Sequence, residues 1–395
     1  MGYNLARLKA LSGQFAIVGI GATDFGADYR AARAGKTPTA DAVGQASRAL
    51  RRALDDCGLA RDDIDGVVQA LQLPFNVREC LGINPRWATA STDCASSMIH
   101  AMAALNAGLC ECVALLYGNE YRTASRKFGG PTASGGEAMP HYVYYHPWGF
   151  SSQGAFDATE FQRYMALYGI THAQVGQVAV AQRAWARLNP NAIMQTPLTI
   201  EQYLNYPFIA APLRLPDYCL INDGGVALIM TTSDRARHLK RNPIVTIKAV
   251  GKAEDNVGQS SLLSKLTLNS KPWGEAAEQV YNVAGLGPKD IDIVYNYDNF
   301  SAEIFLVLEG CGFCGEGEAP RFLAERGMGP GGTFPVNTHG GMLSEAYMHG
   351  WNHHVELVRQ LRGQAGARQL SNPRYAQYCF AEHGQTQTLI YEGAT

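Results

Sequence analysis

The chain has 395 residues, of which 17% are charged, and a formal net charge of −2. That length exceeds one typical core and suits two domains or two fused halves, and the near-neutral balance gives no reason to expect nucleic acid or a membrane surface as partner. Sparse charge with 42 glycines predicts a chain that buries much of its surface, as at least a homodimer; nine cysteines without paired spacing and no secretory leader predict reduced thiols and a cytoplasmic home, and the longest apolar runs fall far short of a membrane span.

Residues 1–14 carry Arg and Lys without periodicity and read as a lead-in. Phe15 to Gly21 is a short apolar run ending in glycine, the pattern of a buried strand. Residues 22–39 read as loop, with Lys36-Thr37-Pro38-Thr39 setting up a helix start. Val43, Ala46, Leu50, Ala53, Leu54 and Cys57 recur at three and four opposite Arg51, Arg52, Asp55 and Asp56, which predicts an amphipathic helix closed by Gly58. Asp62 to Val68 leads into a second strand. Ala88 to Ser91 is strand-like, and the almost wholly apolar Met98 to Leu105 predicts a helix buried on all sides. Residues 129–156 are rich in Gly, Pro and aromatics and too long for a mere connection; the 129–148 part is expected to cover a pocket. Leu220 to Met230 is a turn feeding a buried strand. Glu275 to Ala284 is again helical, Gly285-Leu286-Gly287 closes it, and Pro288 to Tyr295 leads into a strand, echoing Cys57 through Val68. One pattern repeated predicts two parallel-sheet α/β halves: residues 1–235, with a loop excursion over 120–215, and residues 236–395. A ligand is expected where the halves meet.

The densest run of chemistry-capable side chains is Pro335 to Gly350, PVNTHGGMLSEAYMHG. Its glycine pair permits close backbone approach, and Met342, Leu343, Ala346 and Tyr347 fall at helical spacing, so the stretch reads as a turn entering a helix. Cys94 precedes the buried helix, whose N-terminus is expected to lower the thiol's pKa toward a populated thiolate nucleophile. Tyr297 follows the second-half strand, at the carboxyl end where α/β sites are built. Cys311-Gly-Phe-Cys314 is a single pair and Cys110-Glu-Cys112 has the wrong spacing, so no metal is expected. Gly19-Ile-Gly21 lacks the remainder of a dinucleotide fingerprint, and neither a phosphate loop nor Gly-x-Ser-x-Gly occurs.

Asp93-Cys-Ala-Ser-Ser97, Asn222-Asp-Gly-Gly-Val-Ala227, Tyr297-Asp-Asn-Phe300, Leu308 to Gly317 and Pro335 to Gly341, set in duplicated halves, together resemble the thiolase superfamily over nearly the whole chain. The resemblance is greatest to its sterol-carrier-protein, lipid-transfer-protein-type branch. It implies an α/β, thiolase-like fold of two duplicated halves (five-layered αβαβα), a dimer or larger assembly, acyl-CoA substrates, and no tightly bound cofactor beyond coenzyme A as part of the substrate. Typical thiolases carry Asn-Glu-Ala-Phe, or His-Asp-Cys-Phe in the sterol-carrier branch, where this chain has Tyr297 to Phe300. They carry Gly-His-Pro where it has Ala346-Tyr347-Met348. A phenol thus stands at both places, and the histidine that would activate the cysteine is missing.

The paired tyrosines are similar to those of the steroid side-chain-cleaving acyl-CoA aldolases of this branch, which work with a small partner built of a zinc ribbon and an OB fold. The expectation is an aldolase that splits a β-hydroxyacyl-CoA with a steroidal or other bulky acyl group into a ketone or aldehyde and a shorter acyl-CoA. Tyr297 and Tyr347 would serve as base and acid, His339, Asn337 and the Gly340-Gly341 backbone would orient the thioester, and Cys94 and Cys379 are retained. Such chemistry needs no covalent acyl-enzyme. Two alternatives stay open: a thiolase or acyltransferase using Cys94 covalently, with His339, His349 or His383 replacing the lost imidazole, and a non-catalytic CoA-ester or lipid-binding homologue.

Overall fold

The structure, a computed structural model, describes residues 3–35, 40–126, 128, 146–148, 150, 152–254, 271–382 and 385–394. The strands are β1 (Phe15–Ala22), β2 (Gly66–Ala70), β3 (Trp87–Ser91), β4 (Cys112–Glu120), the small hairpin β5 (Phe208–Ala210) and β6 (Leu213–Arg214), β7 (Asp223–Thr232), β8 (Val245–Glu254), β9 (Ile293–Asn296), β10 (Tyr375–Glu382) and β11 (Gln385–Gly393). Apart from the hairpin they form one sheet in the order β3-β2-β4-β7-β1-β8-β11-β10-β9. Read outward from the β1–β8 joint, each side repeats the same plan: β1, β7, β4, β2 one way and β8, β11, β10, β9 the other. A parallel bridge from Val294 to Val336 occupies the place beside β9 that β3 holds beside β2.

The expected duplication is therefore written in the strand order, but the halves are mixed sheets rather than parallel ones. β2 runs parallel to β3 and β4, and β9 to β10. β7 is antiparallel to β1 and β4, and β11 to β8 and β10. Strands covered on both faces are apolar throughout in either direction, so their composition carries no sign of the difference.

The Ala42–Cys57 helix shows why sequence periodicity succeeds on the outside of the molecule. Asp41 Oδ1 accepts from Gly44 N at 2.7 Å, Gly58 ends the helix at φ +72°, and Ala46, Ala49, Leu50, Ala53 and Cys57 are buried against β1, β4 and β7. A Cβ at Gly19, Gly21, Gly118 or Gly225 would overlap carbonyl oxygens of this helix, so these strand glycines set its close approach. In the second half the Lys271–Ala284 helix packs on β8 and β11, with Gly251 in the same role against Ala276.

Two other helices lie between the halves. Cys94–Asn106 is capped by Asp93, whose Oδ1 accepts from Ser96 N at 2.7 Å, and it touches β2, β3, β4 and also β11. Trp351–Leu361 is buried along almost its whole length and touches β1 and β7 as well as β9 and β10.

Some expectations need revision. The stretch read as loop after β1 contains a helix, Phe25–Arg33, and the lead-in contains another, Leu5–Ala10. A helix, Ser233–Leu239, runs across the expected division at residue 235 and packs on β1 and β7, so we place the division between that helix and β8. The excursion over 120–215 includes the helices Gln153–Tyr168, His172–Arg187 and Ile200–Asn205. Lys36 to Thr39, most of the expected pocket cover and His383 fall outside the described residues.

Candidate active site

β9 delivers Tyr297 to the junction of the halves. Asn337, at φ +48°, clips this strand end: its Oδ1 accepts from Asn296 N at 2.8 Å and its Nδ2 donates to Asn296 O at 3.0 Å. Tyr297 N donates to Cys379 O at 2.9 Å. Next in the chain, the fully buried Asp298 accepts from Met342 N at 2.9 Å and from His353 Nε2 at 3.0 Å.

The 335–350 stretch is not a turn entering a helix. Gly341 to Glu345 make a single π-helical turn, Ala346 is extended (φ −168°, ψ 148°), and the helix begins only at Trp351, after Gly350 at φ +81°. Tyr347 therefore sits in an extended link. Two distant asparagines hold it there: Tyr347 N donates to Asn222 Oδ1 at 2.7 Å, and Asn119 Nδ2 donates to Tyr347 O at 3.3 Å. A Cβ at Gly340 would press on the backbone of Ala186, and one at Gly341 would overlap Gln182 and Asp298. The glycine pair thus lets the His172–Arg187 helix close on the turn, and neither glycine lines the cavity that receives the two tyrosines.

Tyr297 and Tyr347 meet with their hydroxyl oxygens 3.4 Å apart, and both line a cavity of about 570 Å³. Its walls are mostly apolar, with Leu343, Phe300, Met194 and Phe128, and a few polar groups from Arg183, Tyr218 and Asn299. Edge-on aromatic neighbours fix the phenols: His349 lies 5.4 Å from Tyr297 and 6.1 Å from Tyr347 between ring centroids.

The remaining expected residues lie deeper. Cys94 is fully buried, with its Sγ 3.0 Å from Tyr378 Oη, and it is absent from the cavity wall. A Cβ on Gly350 would overlap both of those atoms, so the link carrying Tyr347 closes directly over the thiol. Burial, and then the charge of Asp93, push the thiol well above its ordinary pKa. This reverses the expected lowering, because desolvation outweighs the helix N-terminus. His339 is fully buried, its ring 4.6 Å from that of His353 and its Nε2 3.6 Å from Glu345 Oε2; burial holds it well below the usual imidazole range, hence neutral. Cys379 lies 3.9 Å from Cys311, sulfur to sulfur, on the far side of β10 from Tyr378.

Of the eight expected residues the structure brings Tyr297 and Tyr347 together on the cavity and leaves Cys94, Cys379, Asn337, His339, Gly340 and Gly341 behind it. Sequence reading missed Tyr378 and Arg183. The signals were there: Tyr378 alternates with Cys379 along a strand, and Arg183 interrupts the apolar face made by Val175, Val178, Ala179 and Ala186.

Comparison with known proteins adds independent findings. A family model described as thiolase C-terminal domain-like matches residues 255–391. A 17-hydroxy-3-oxo-4-pregnene-20-carboxyl-CoA lyase of Mycobacterium tuberculosis is 35% identical over 368 residues, covering 89% of this chain and 92% of that protein. A steroid side-chain-cleaving aldolase of Thermomonospora curvata is 32% identical over 370 residues, covering 90% and 92%. Among solved structures, an Ltp2-ChsH2(DUF35) aldolase superposes with a TM-score of 0.85 at 30% identity, over 97% of this chain and 98% of that one. Human mitochondrial 3-ketoacyl-CoA thiolase in complex with CoA shares the fold, with a TM-score of 0.67 at 15% identity over 98% and 99%.

Proposed function

The chain belongs to the thiolase superfamily, alongside its steroid side-chain-cleaving aldolases, and from that premise we propose that Tyr297 and Tyr347 perform a retro-aldol cleavage. The protein is a carbon–carbon lyase acting on an acyl-CoA, with a steroid or other bulky acyl group as substrate. The observation that carries the assignment is the pair of phenol oxygens 3.4 Å apart on a cavity wall. That separation exceeds a strong O–H···O bond, and one substrate oxygen seated beside the pair can lie within hydrogen-bond distance of both hydroxyls. One tyrosine, as its phenolate, takes the proton of the β-hydroxyl as the Cα–Cβ bond breaks. The electron pair of that bond moves onto the thioester as an enolate, and the other hydroxyl supplies the proton that the α-carbon gains. Products are a ketone or aldehyde and a shorter acyl-CoA. The covalent thiolase route is disfavoured by the position of Cys94, sealed under Gly350 with its thiol held protonated.

We propose a homodimer acting with a small zinc-ribbon/OB-fold partner. The name of the structural relative joins two components, which supports the partner, and among the described residues β3 stands at an edge of the sheet, where a second copy could pair. All nine cysteines are free, in keeping with a reducing, cytoplasmic setting. No described helix is long and apolar enough to cross a membrane.

Protein purified with its partner is expected to cleave a β-hydroxyacyl-CoA without added CoA, and Tyr347→Phe to lose about a hundredfold or more in kcat. An absolute requirement for free CoA would overturn the assignment.

A further inference from the structure

Arg183 is 7% exposed, yet it lines the cavity. Its Nε donates to Ser344 Oγ at 3.0 Å and its Nη1 to the Thr196 carbonyl at 3.0 Å. Both acceptors are neutral. Among the described residues no Asp or Glu pairs with it, whereas Arg368, an arginine of comparable burial, is paired with Glu356. Burial disfavours its cationic form, and the opposing electrostatic influence is that of the Tyr206 phenol rather than of a carboxylate. A guanidinium stays charged under essentially all conditions, so this is a buried cation, without a counter-ion among the described residues, on the wall of a mostly apolar cavity.

Arg183 keeps a small solvent-accessible fraction. An acyl group large enough to fill about 570 Å³ displaces the solvent there. If the acyl group were wholly apolar, a cation with only neutral acceptors would be left without a counter-charge, at a cost that buried ion pairs show to be large. A carboxylate on the ligand removes the cost and forms a charge-assisted bond with the guanidinium fork.

We propose that Arg183 is the anion subsite of the acyl cavity, and that the natural substrate is an acyl-CoA whose acyl group bears a carboxylate remote from the thioester. This deepens the assignment of the cavity to an acyl-CoA and rests on it, without depending on the chemistry at the two tyrosines.

The test uses ligands that cannot be cleaved because they lack the β-hydroxyl. They are CoA thioesters of ring-bearing dicarboxylic acids over a series of spacer lengths, the corresponding methyl esters, and the methyl-terminated counterparts. Binding to the full chain is measured by calorimetry for the wild type, Arg183→Gln and Arg183→Lys. At the best spacer the wild type is expected to bind the acid about tenfold or more tightly than its ester. Arg183→Gln brings that ratio to about one, and Arg183→Lys keeps part of it, since it retains the charge without the fork. Equal binding of acid and ester by the wild type overturns the proposal, as does a loss in Arg183→Gln that is the same for all three ligands. Failure of the aldolase assignment would show separately, as absent turnover of the β-hydroxylated substrates.

Discussion

At Cys94 the fold opposes the chemistry that the residue's position suggests. A helix N-terminus favours an anion by about 0.3–1 kcal/mol, and by up to about 2 in the best geometries. Complete burial works against the thiolate by as much as about 3–5 pK units, each worth about 1.4 kcal/mol, and the neighbouring Asp93 adds repulsion. Burial wins, and the thiol stays protonated against Tyr378. Iodoacetamide at pH 8 is therefore expected to label the exposed Cys80 in the native protein and to spare Cys94, with both labelled in denaturant, as read by peptide mass mapping. Comparable native labelling of the two would mean that the thiol reaches the cavity, and would revive a covalent mechanism; an acyl adduct on Cys94 after incubation with an acyl-CoA would do the same.

The element that positions the chemistry is the 340–350 link, and here the sequence misleads for a physical reason. Apolar residues at 342, 343, 346 and 347 mimic a helical stripe, but the conformation is set from outside. Asp298 holds Met342, Asn222 and Asn119 hold Tyr347, and none of those partners is near in sequence. The Ala42–Cys57 helix was legible because its cap, stripe and closing glycine are all local, and the duplicated halves because the helix-glycine-strand pattern repeats. Tyr297 was legible as a candidate from its place at a strand end and Tyr347 only through the resemblance, while Arg183 was passed over because an arginine on a helix reads first as surface even where it interrupts an apolar face. The link also predicts its own weak point. A side chain at Gly341 must adopt φ +59° and overlap Asp298 Oδ2, which cannot retreat without releasing Met342 N and His353. Gly341→Ala should cost about 2–4 kcal/mol, visible as a lower urea midpoint at unchanged m.

Across the whole molecule, the two halves are joined by a buried polar layer as much as by apolar contact. Arg362 donates to the Ile17 and Val18 carbonyls and to Asp56, Gln387 to Ser96, and Arg368, held by Glu356, to the Leu188 carbonyl. Glu345 is the member of this layer whose charge depends on pH near neutrality. Asn189 and Asn352 donate to it at 2.8 and 2.7 Å, the neutral His339 lies beside it, and burial raises its pKa from 4.5 to about 7. With a folded pKa above the unfolded one, the native state holds the proton that the unfolded chain gives up. Glu345 therefore supports folding fully below about 4.5, and its contribution is lost as the pH climbs to about 7. His339 and His354, the latter depressed to about 3, act in the opposite sense and only below their unfolded value of about 6.5, so wild-type stability alone mixes the two. A difference isolates the carboxyl. The melting temperature of Glu345→Gln minus that of the wild type should rise from pH 5 to about pH 7.5 and then level off, whatever constant offset the amide introduces by losing one acceptor. A difference that does not change with pH would mean that Glu345 is already ionised in the folded protein at pH 5, and that the layer between the halves carries a buried charge where burial favours a neutral acid.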